Sequence, residues 1–187
     1  MVIARTGWSG ELSYELYLQD RKKGDELFEI VHEAAKEFNG AVIAPNTIRT
    51  IEGGLLSYQS DFGREHNPFT IGLDRLVDLD QDIDFIGKEA LRKIKSEGIS
   101  EKLVGVEIDG DPIQKVPENF WPVFDENHKK IGRLSRCFFS PRLKKNIGLA
   151  IIDINFVEPG TPLVIESPKA HLNAQVHELP WFPAEKS

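Results

Sequence analysis

Hydrophobic positions along this chain change their spacing once, near residue 98. Before that point most recur at helical intervals; after it they alternate. The early exception is Tyr14, Leu16 and Leu18, which alternate with Ser13, Glu15 and Tyr17 and predict a half-buried hairpin strand ending near Asp20. Leu27, Val31, Ala34 and Phe38 then mark one buried stripe of an amphipathic helix over 25–38. Asp25, Glu26 and Glu29 load its first turns with negative charge, and Asn39-Gly40 supplies the stop. Pro45 predicts the first position of a second helix, with Ile48, Ile51 and Leu55 inward. Gly53 and Gly54 fall within that pattern. Each costs about 1 kcal/mol in a helix relative to alanine, a cost that points to close backbone packing. A polar connection follows over 59–68, and a third helix is expected over 88–98 with Leu91 and Ile94 inward. Lys88, Glu89, Arg92, Lys93, Lys95 and Glu97 read as its solvated face.

Beyond Ser100 the period is two. Segments 103–108, 122–125, 131–139, 146–153, 163–166 and 172–179 read as strands, with a hairpin turn over 126–130. Six short strands punctuated by Pro, Gly and Ser predict a small antiparallel barrel or sandwich. The fold class is therefore α+β, divided into residues 1–98 and 99–187.

Composition narrows the setting. At 187 residues, 40% hydrophobic and 28% charged, the chain suits one domain or two small ones with a real core. A net charge of −7 disfavours non-specific nucleic-acid binding. A single cysteine, Cys137, excludes an intrachain disulfide, and its neighbours Phe138 and Phe139 make it a small core residue. No apolar run reaches membrane-spanning length and no signal-peptide pattern opens the chain, so cytoplasm is the expected location.

Candidate chemistry concentrates in the run Arg5-Thr6-Gly7-Trp8-Ser9-Gly10-Glu11. Two glycines allow a tight turn with positive φ and leave space for something flat to approach. Glu11 sits at the mouth of that turn. It is either a solvated acid or a carboxylate aimed at a ligand. None of the five histidines pairs with a Cys/His/Asp set at metal-ligand spacing, so no metal is expected. Arg136, Arg142, Lys144 and Lys145 gather around one turn, either solvated or facing an anion. Trp121 and Trp181 each neighbour a proline and read as packing anchors.

The run from Arg5 to Leu18 resembles the R-T-G-[YW]-[ST]-G-E-x-x-[FY]-E-[IL]-Y segment of the glycine cleavage T-protein (aminomethyltransferase) family and its tetrahydrofolate-dependent demethylase relatives. The resemblance continues in order through 48–58, Asn67-Pro68-Phe69, Gly72-Leu73, 84–91, 140–148 and 159–163. It covers essentially the whole chain, but only the back half of the family pattern. Met1 stands where a full-length member would be crossing the middle of its folate-binding domain. This implies either a fragment or a separate chain that supplies the front half, with self-association as another way to cover the exposed side.

The resemblance implies a folate-binding α+β region followed by a C-terminal antiparallel barrel. It implies tetrahydrofolate as cofactor, Glu11 as the acceptor of the pterin edge, and Trp8, Arg49 and Arg75 as further cofactor contacts. The catalytic aspartate of the family falls in the front half, so no catalytic residue is assigned here. Asp61, Asp74 and Asp84 read as surface carboxylates, not as replacements for it. Two positions depart from the T-protein pattern: Thr50 stands where it has arginine, with Arg49 one residue earlier, and Arg75 stands where it has tryptophan. Adjacent helical residues point about 100° apart, so Arg49 does not simply replace the residue at 50. Both departures count against the aminomethyltransferase itself, and the strings Pro45-Asn46-x-Ile48-Arg49 and Gly54-Leu55-Leu56-Ser57-Tyr58 look closer to the demethylase branch, which acts on small methylated sulfonium, amine or aryl-ether substrates. The alternatives are a non-catalytic folate- or partner-binding module and an inactive fragment. An apolar exposed surface is expected on residues 1–72, where the front half would pack.

Overall fold

The computed structural model describes residues 1–182 and has the expected α+β architecture. A two-stranded antiparallel hairpin pairs β1 (Val2–Ala4) with β2 (Glu15–Tyr17), Ile3 opposite Leu16. Helices α1 (Gly24–Lys36), α2 (Thr47–Glu52) and α3 (Lys88–Glu97) follow. Six strands then close a barrel: β3 (Glu101–Ile108), β4 (Trp121–Phe124), β5 (Lys130–Ser140), β6 (Lys145–Asp153), β7 (Pro162–Glu166) and β8 (His171–His177). The order around the barrel is β3-β6-β5-β4-β7-β8, and β8 returns to β3 with Val106 opposite Val176. Closure leaves no strand edge unpaired, so the small barrel satisfies its own backbone.

Alternation along the strands builds the interior from Val104, Val106, Ile108, Val123, Leu134, Cys137, Ile152, Ile165 and their neighbours. Strand β6 departs from simple alternation and is buried on both faces from Asn146 to Ile152. Its outward side chains, Ile147, Leu149 and Ile151, join Leu103 and Ile51 in a second core. Ile51 belongs to α2, so this second core is what seats the α2 region on the barrel wall. Trp121 packs against the first core, and Trp181 against the second, where it also stacks on His177 at 3.8 Å. Both are anchors, as their settings predict.

Several local expectations need correction. The helix at Pro45 starts later: Asn46 is its cap, its side chain accepting from the backbone N–H of Ile48 and Arg49. Asn offers a side-chain acceptor to the free N–H groups of the first turn; proline offers none. Gly53 and Gly54 do not lie inside that helix but end it, Gly54 taking φ +63°. Lys88 is not solvated. Its ammonium is buried and donates to the carbonyls of Gln81 and Ile83, holding the preceding loop onto α3. Asp61 is no surface acid either, being fully buried.

The first strand and first helix were expected to bury one face each. In fact β2 is exposed throughout, Tyr14 is 59% exposed, and α1 buries none of its 13 residues. The amphipathic pattern is present, but no α1 side chain is buried by the described residues.

Cys137 is fully buried, and burial pushes its thiol up to about 12. Unfolding would return it to about 8.5–9. The unfolded chain therefore binds fewer protons than the folded one between those values, so stability should fall as pH rises above about 9. The slope should approach 1.4 kcal/mol per pH unit. Urea melts from pH 8 to 10.5 should show that slope in the native chain and lose it in Cys137→Ala. An identical slope in both proteins would contradict this.

Candidate functional site

Glu11 rises from the glycine turn, where Gly10 has φ +72° and a Cβ on it would stand 3.5 Å from Cα of Gly53. The turn is thereby laid against the end of α2. Two arginines meet Glu11 there. Its Oε1 accepts from Nη1 of Arg49 at 3.1 Å and from Nη1 of Arg142 at 2.9 Å. The same two nitrogens lie 3.4 and 3.5 Å from Oε2 of Glu52. Oε1 of Glu52 accepts from the Ser140 hydroxyl at 2.6 Å. Two carboxylates and two guanidinium groups thus form a closed, alternating ring whose formal charges cancel. Glu52 is its buried side and Glu11 its exposed side, with side-chain exposures of 3% and 46%.

The ring borders a cavity of about 270 Å³ lined by Ser9, Gly10, Glu11, Glu52, Gly53, Arg142 and Phe182. Arg142 lies 4.1 Å over the Phe182 ring, and the backbone N–H groups of Trp181 and Phe182 donate to the Glu52 carbonyl. The end of the described chain therefore forms part of this wall. A larger cavity of about 590 Å³ shares Gly10, Gly53 and Phe182 with the first and runs along Leu55, Ile71, Leu103 and Leu179. Arg75 and Lys102 line it together with Asp74, Glu158 and Glu178. The two cavities adjoin at the glycine contact, the smaller bordered by the charged ring and the larger by a mixed lining of apolar and charged side chains.

A second, fully buried network supports the first. A bulge in β5 leaves Ser135 unpaired between Leu134 and Arg136, which lets both Ser135 and Arg136 reach Asp61. Arg136 holds Asp61 through Nε at 2.8 Å and Nη2 at 2.6 Å, and also donates to the Thr50 hydroxyl and the Leu55 carbonyl. The Ser57 N–H donates to Asp61 from the other side. Thr50 and Arg49 are neighbours on α2 yet serve different networks, as their angular separation requires.

Of the residues singled out in the sequence, Glu11 and Arg49 meet in the ring, and Arg75 lines the adjoining cavity. Trp8 lies in the same turn, 57% exposed, and lines neither cavity. The four basic residues around the 140–145 turn do not act as one cluster. Arg136 is buried on Asp61, Arg142 turns to Glu11, Lys145 pairs with Glu107 at 2.6 Å, and Lys144 stays exposed in the turn. Glu52 and Ser140 carried no sequence signal of their own beyond their place in matching segments. Glu29, His32 and Glu33 do bring their ligating atoms within 4.8 Å of one another on α1. Their i, i+3, i+4 spacing was the signal for that grouping, and it lies on a face with no buried residue.

Residues 101–183 match the family model of the glycine cleavage T-protein C-terminal barrel domain, and residues 1–81 that of the GCVT N-terminal domain. The chain belongs to the glycine cleavage T-protein family. An aminomethyltransferase of Geobacillus sp. is 36% identical over 189 residues, covering 99% of this chain and 50% of its own. Dimethylsulfoniopropionate demethylase DmdA of Ruegeria pomeroyi is 28% identical over 183 residues, covering 97% of this chain and 48% of its own. The crystal structure of glycine cleavage system aminomethyltransferase T from Bartonella henselae superposes with a TM-score of 0.83 at 19% identity, over 97% of this chain and 50% of that one. This T-protein-family chain thus spans about half the length of the curated relatives it matches. Among its described residues, no helix is long and apolar enough to cross a membrane.

Proposed function

We propose that this chain forms one wall of a tetrahydrofolate site in a one-carbon transferase, with Glu11 accepting the pterin edge. The observation that carries the reading is the Glu11 carboxylate itself, partly exposed on the wall of the 270 Å³ cavity and oriented by two arginines. A carboxylate accepts two parallel N–H bonds, which suits a flat heterocycle carrying an amino group beside a ring N–H. The glycines at 10 and 53 add no side chains to this cavity, and Phe182, with Arg142 over its ring, lines it together with Glu11. The donor and acceptor set present therefore fits such a group. When bound, tetrahydrofolate supplies the nitrogen that accepts the one-carbon unit. The residues of this chain bind and orient; Arg49 and Arg142 hold the Glu11 carboxylate in one direction, and Leu55, Ile71, Leu103 and Leu179 offer apolar surface along the larger cavity. Arg75 and Lys102 would meet the anionic end of the molecule. Catalysis on this reading is mostly positioning.

The remaining half of the family pattern would supply the opposite wall and the catalytic aspartate. The demethylase branch is the preferred reading, because Thr50 and Arg75 stand where the T-protein has arginine and tryptophan and the segments 45–49 and 54–58 look closer to that branch; the donor would then be a small methylated sulfonium, amine or aryl ether. Both donor classes belong in the assay, because the aminomethyltransferase relative has the higher identity.

Titration calorimetry with tetrahydrofolate, on this chain assembled with its complementary half, tests the reading. Glu11→Gln removes the charge from the acceptor and leaves an amide donor facing N–H groups. The expected loss is about 2–3 kcal/mol, or 30- to 150-fold in Kd. Unchanged affinity in Glu11→Gln would end the role assigned to Glu11.

A further inference from the structure

We propose that Glu52 is a positioning residue for the folate site, acting through Arg49 and Arg142 on Glu11. The inference rests on the reading of Glu11 given above and adds a residue argued to act through the two arginines, from the buried side of the same cavity wall. Each arginine uses a single nitrogen, Nη1, to face both carboxylates, so moving either acid moves the same two atoms. The two acids are not equivalent. Glu11 sits on an exposed glycine turn, whereas Glu52 closes a helix and is pinned by the Ser140 hydroxyl. Its own peptide carbonyl is also held, by the N–H groups of Trp181 and Phe182. The fixed reference of the ring is therefore Glu52.

The contact lengths fit this division. Both arginines stand closer to Glu11 than to Glu52, by 0.3 Å for Arg49 and 0.6 Å for Arg142. Glu52 thus sets where the guanidinium groups can lie without drawing them off the exposed acid. Without its negative charge the two cations would face each other across one shared carboxylate, and their mutual repulsion would spread them. Glu11 would then lose its fixed direction, because the other ties of its turn hold the backbone and not the carboxylate: the Glu11 N–H donates to the Ser9 hydroxyl, and the Ser13 hydroxyl donates to the carbonyls of Thr6 and Glu11.

The experiment compares Glu52→Gln, which keeps shape and an acceptor for Ser140, with Glu11→Gln and the double variant. On the assembled protein, Glu52→Gln should raise the tetrahydrofolate Kd about tenfold with the melting temperature held within 2–3 °C. In the Glu11→Gln background it should add nothing, because its effect passes through Glu11. Additive losses, or an unchanged Kd in Glu52→Gln where Glu11→Gln is impaired, would overturn the proposal. A ligand-free readout separates this from the folate reading: side-chain NMR of Arg49 and Arg142 in the chain alone. Restricted guanidinium rotation should give distinct Nη–H signals in the native protein and averaged ones in Glu52→Gln. If those signals are unchanged, the positioning role fails even where folate binds. If they collapse but no variant alters folate affinity, the positioning role stands and the folate reading fails. Should Glu52→Gln not fold, Ser140→Ala releases the same carboxylate and is held to the same outcomes.

Discussion

Replacing Arg136 with alanine should destabilise the chain by about 3–5 kcal/mol, the effect expected when one partner of a buried ion pair is removed. Asp61 would be left fully buried with only the Ser57 N–H and the Ser135 hydroxyl to stabilise its charge. The Thr50 hydroxyl and the Leu55 carbonyl would lose a donor in the same step. These groups join β5 to α2 and to the segment after it, so the damage should spread to the wall that carries Arg49 and Glu52. Urea denaturation followed by tryptophan fluorescence checks this. Asp61→Ala should cost a similar amount, and the double variant clearly less than the sum, because the second deletion removes an orphaned charge. A loss below about 1 kcal/mol for Arg136→Ala would mean that the network contributes little. Arg136→Lys should also be costly, since a lysine cannot reproduce the bidentate pairing of Nε and Nη2.

The second large effect concerns association. Val2, Ile3, Leu12, Tyr14, Phe28, Ile30, Val31 and Val42 are all exposed, an apolar surface of the kind expected on residues 1–72. Stable monomers rarely leave contiguous surface of that character open. Supplying the complementary half of the family fold should bury it in an obligate interface, on the order of 2,000 Å² or more. The isolated chain should accordingly bind a hydrophobic dye strongly and self-associate at micromolar concentration, and the complementary half should abolish both. Phe28→Glu with Val31→Glu should weaken that assembly at least 100-fold by sedimentation or light scattering, a typical penalty for losing anchor residues at an interface centre. An isolated chain that stays monomeric without binding dye would contradict the expectation, as would an assembly indifferent to the two glutamates.

How much of this was readable beforehand depended on how local each determinant is. The barrel strands carry their own period-two pattern, so they were visible at nearly their observed limits. Strand β1 has three residues and no room to show a period. Asn46 lost to Pro45 as the start of α2 because a cap is decided by which side chain reaches the free N–H groups. Arg136 and Asp61 are 75 positions apart, and no spacing rule joins them; the β5 bulge does. For the same reason Arg136, Arg142, Lys144 and Lys145 read as one cluster in the sequence, although Arg136, Arg142 and Lys145 go to three different carboxylates and Lys144 is exposed. The exposed stripe on α1 is a different kind of failure. Its pattern was read correctly, but a pattern reports what a face is suited to pack on, not whether that surface belongs to the same chain. In the site, Glu11 and Arg49 were legible through the glycine turn and the family resemblance. Glu52 was not, since one acid at a helix end resembles any other until its partners are known.

The account turns on whether the Glu11 carboxylate binds the N–H edge of a pterin. Proton NMR of tetrahydrofolate labelled with ¹⁵N at its ring amide and amino group, bound to the assembled protein, observes that contact directly. A carboxylate partner should shift the bound ring N–H proton downfield and protect it from exchange with water, and Glu11→Gln should erase both effects. A bound ligand whose ring N–H exchanges as fast as in solution, with or without Glu11, would contradict the account.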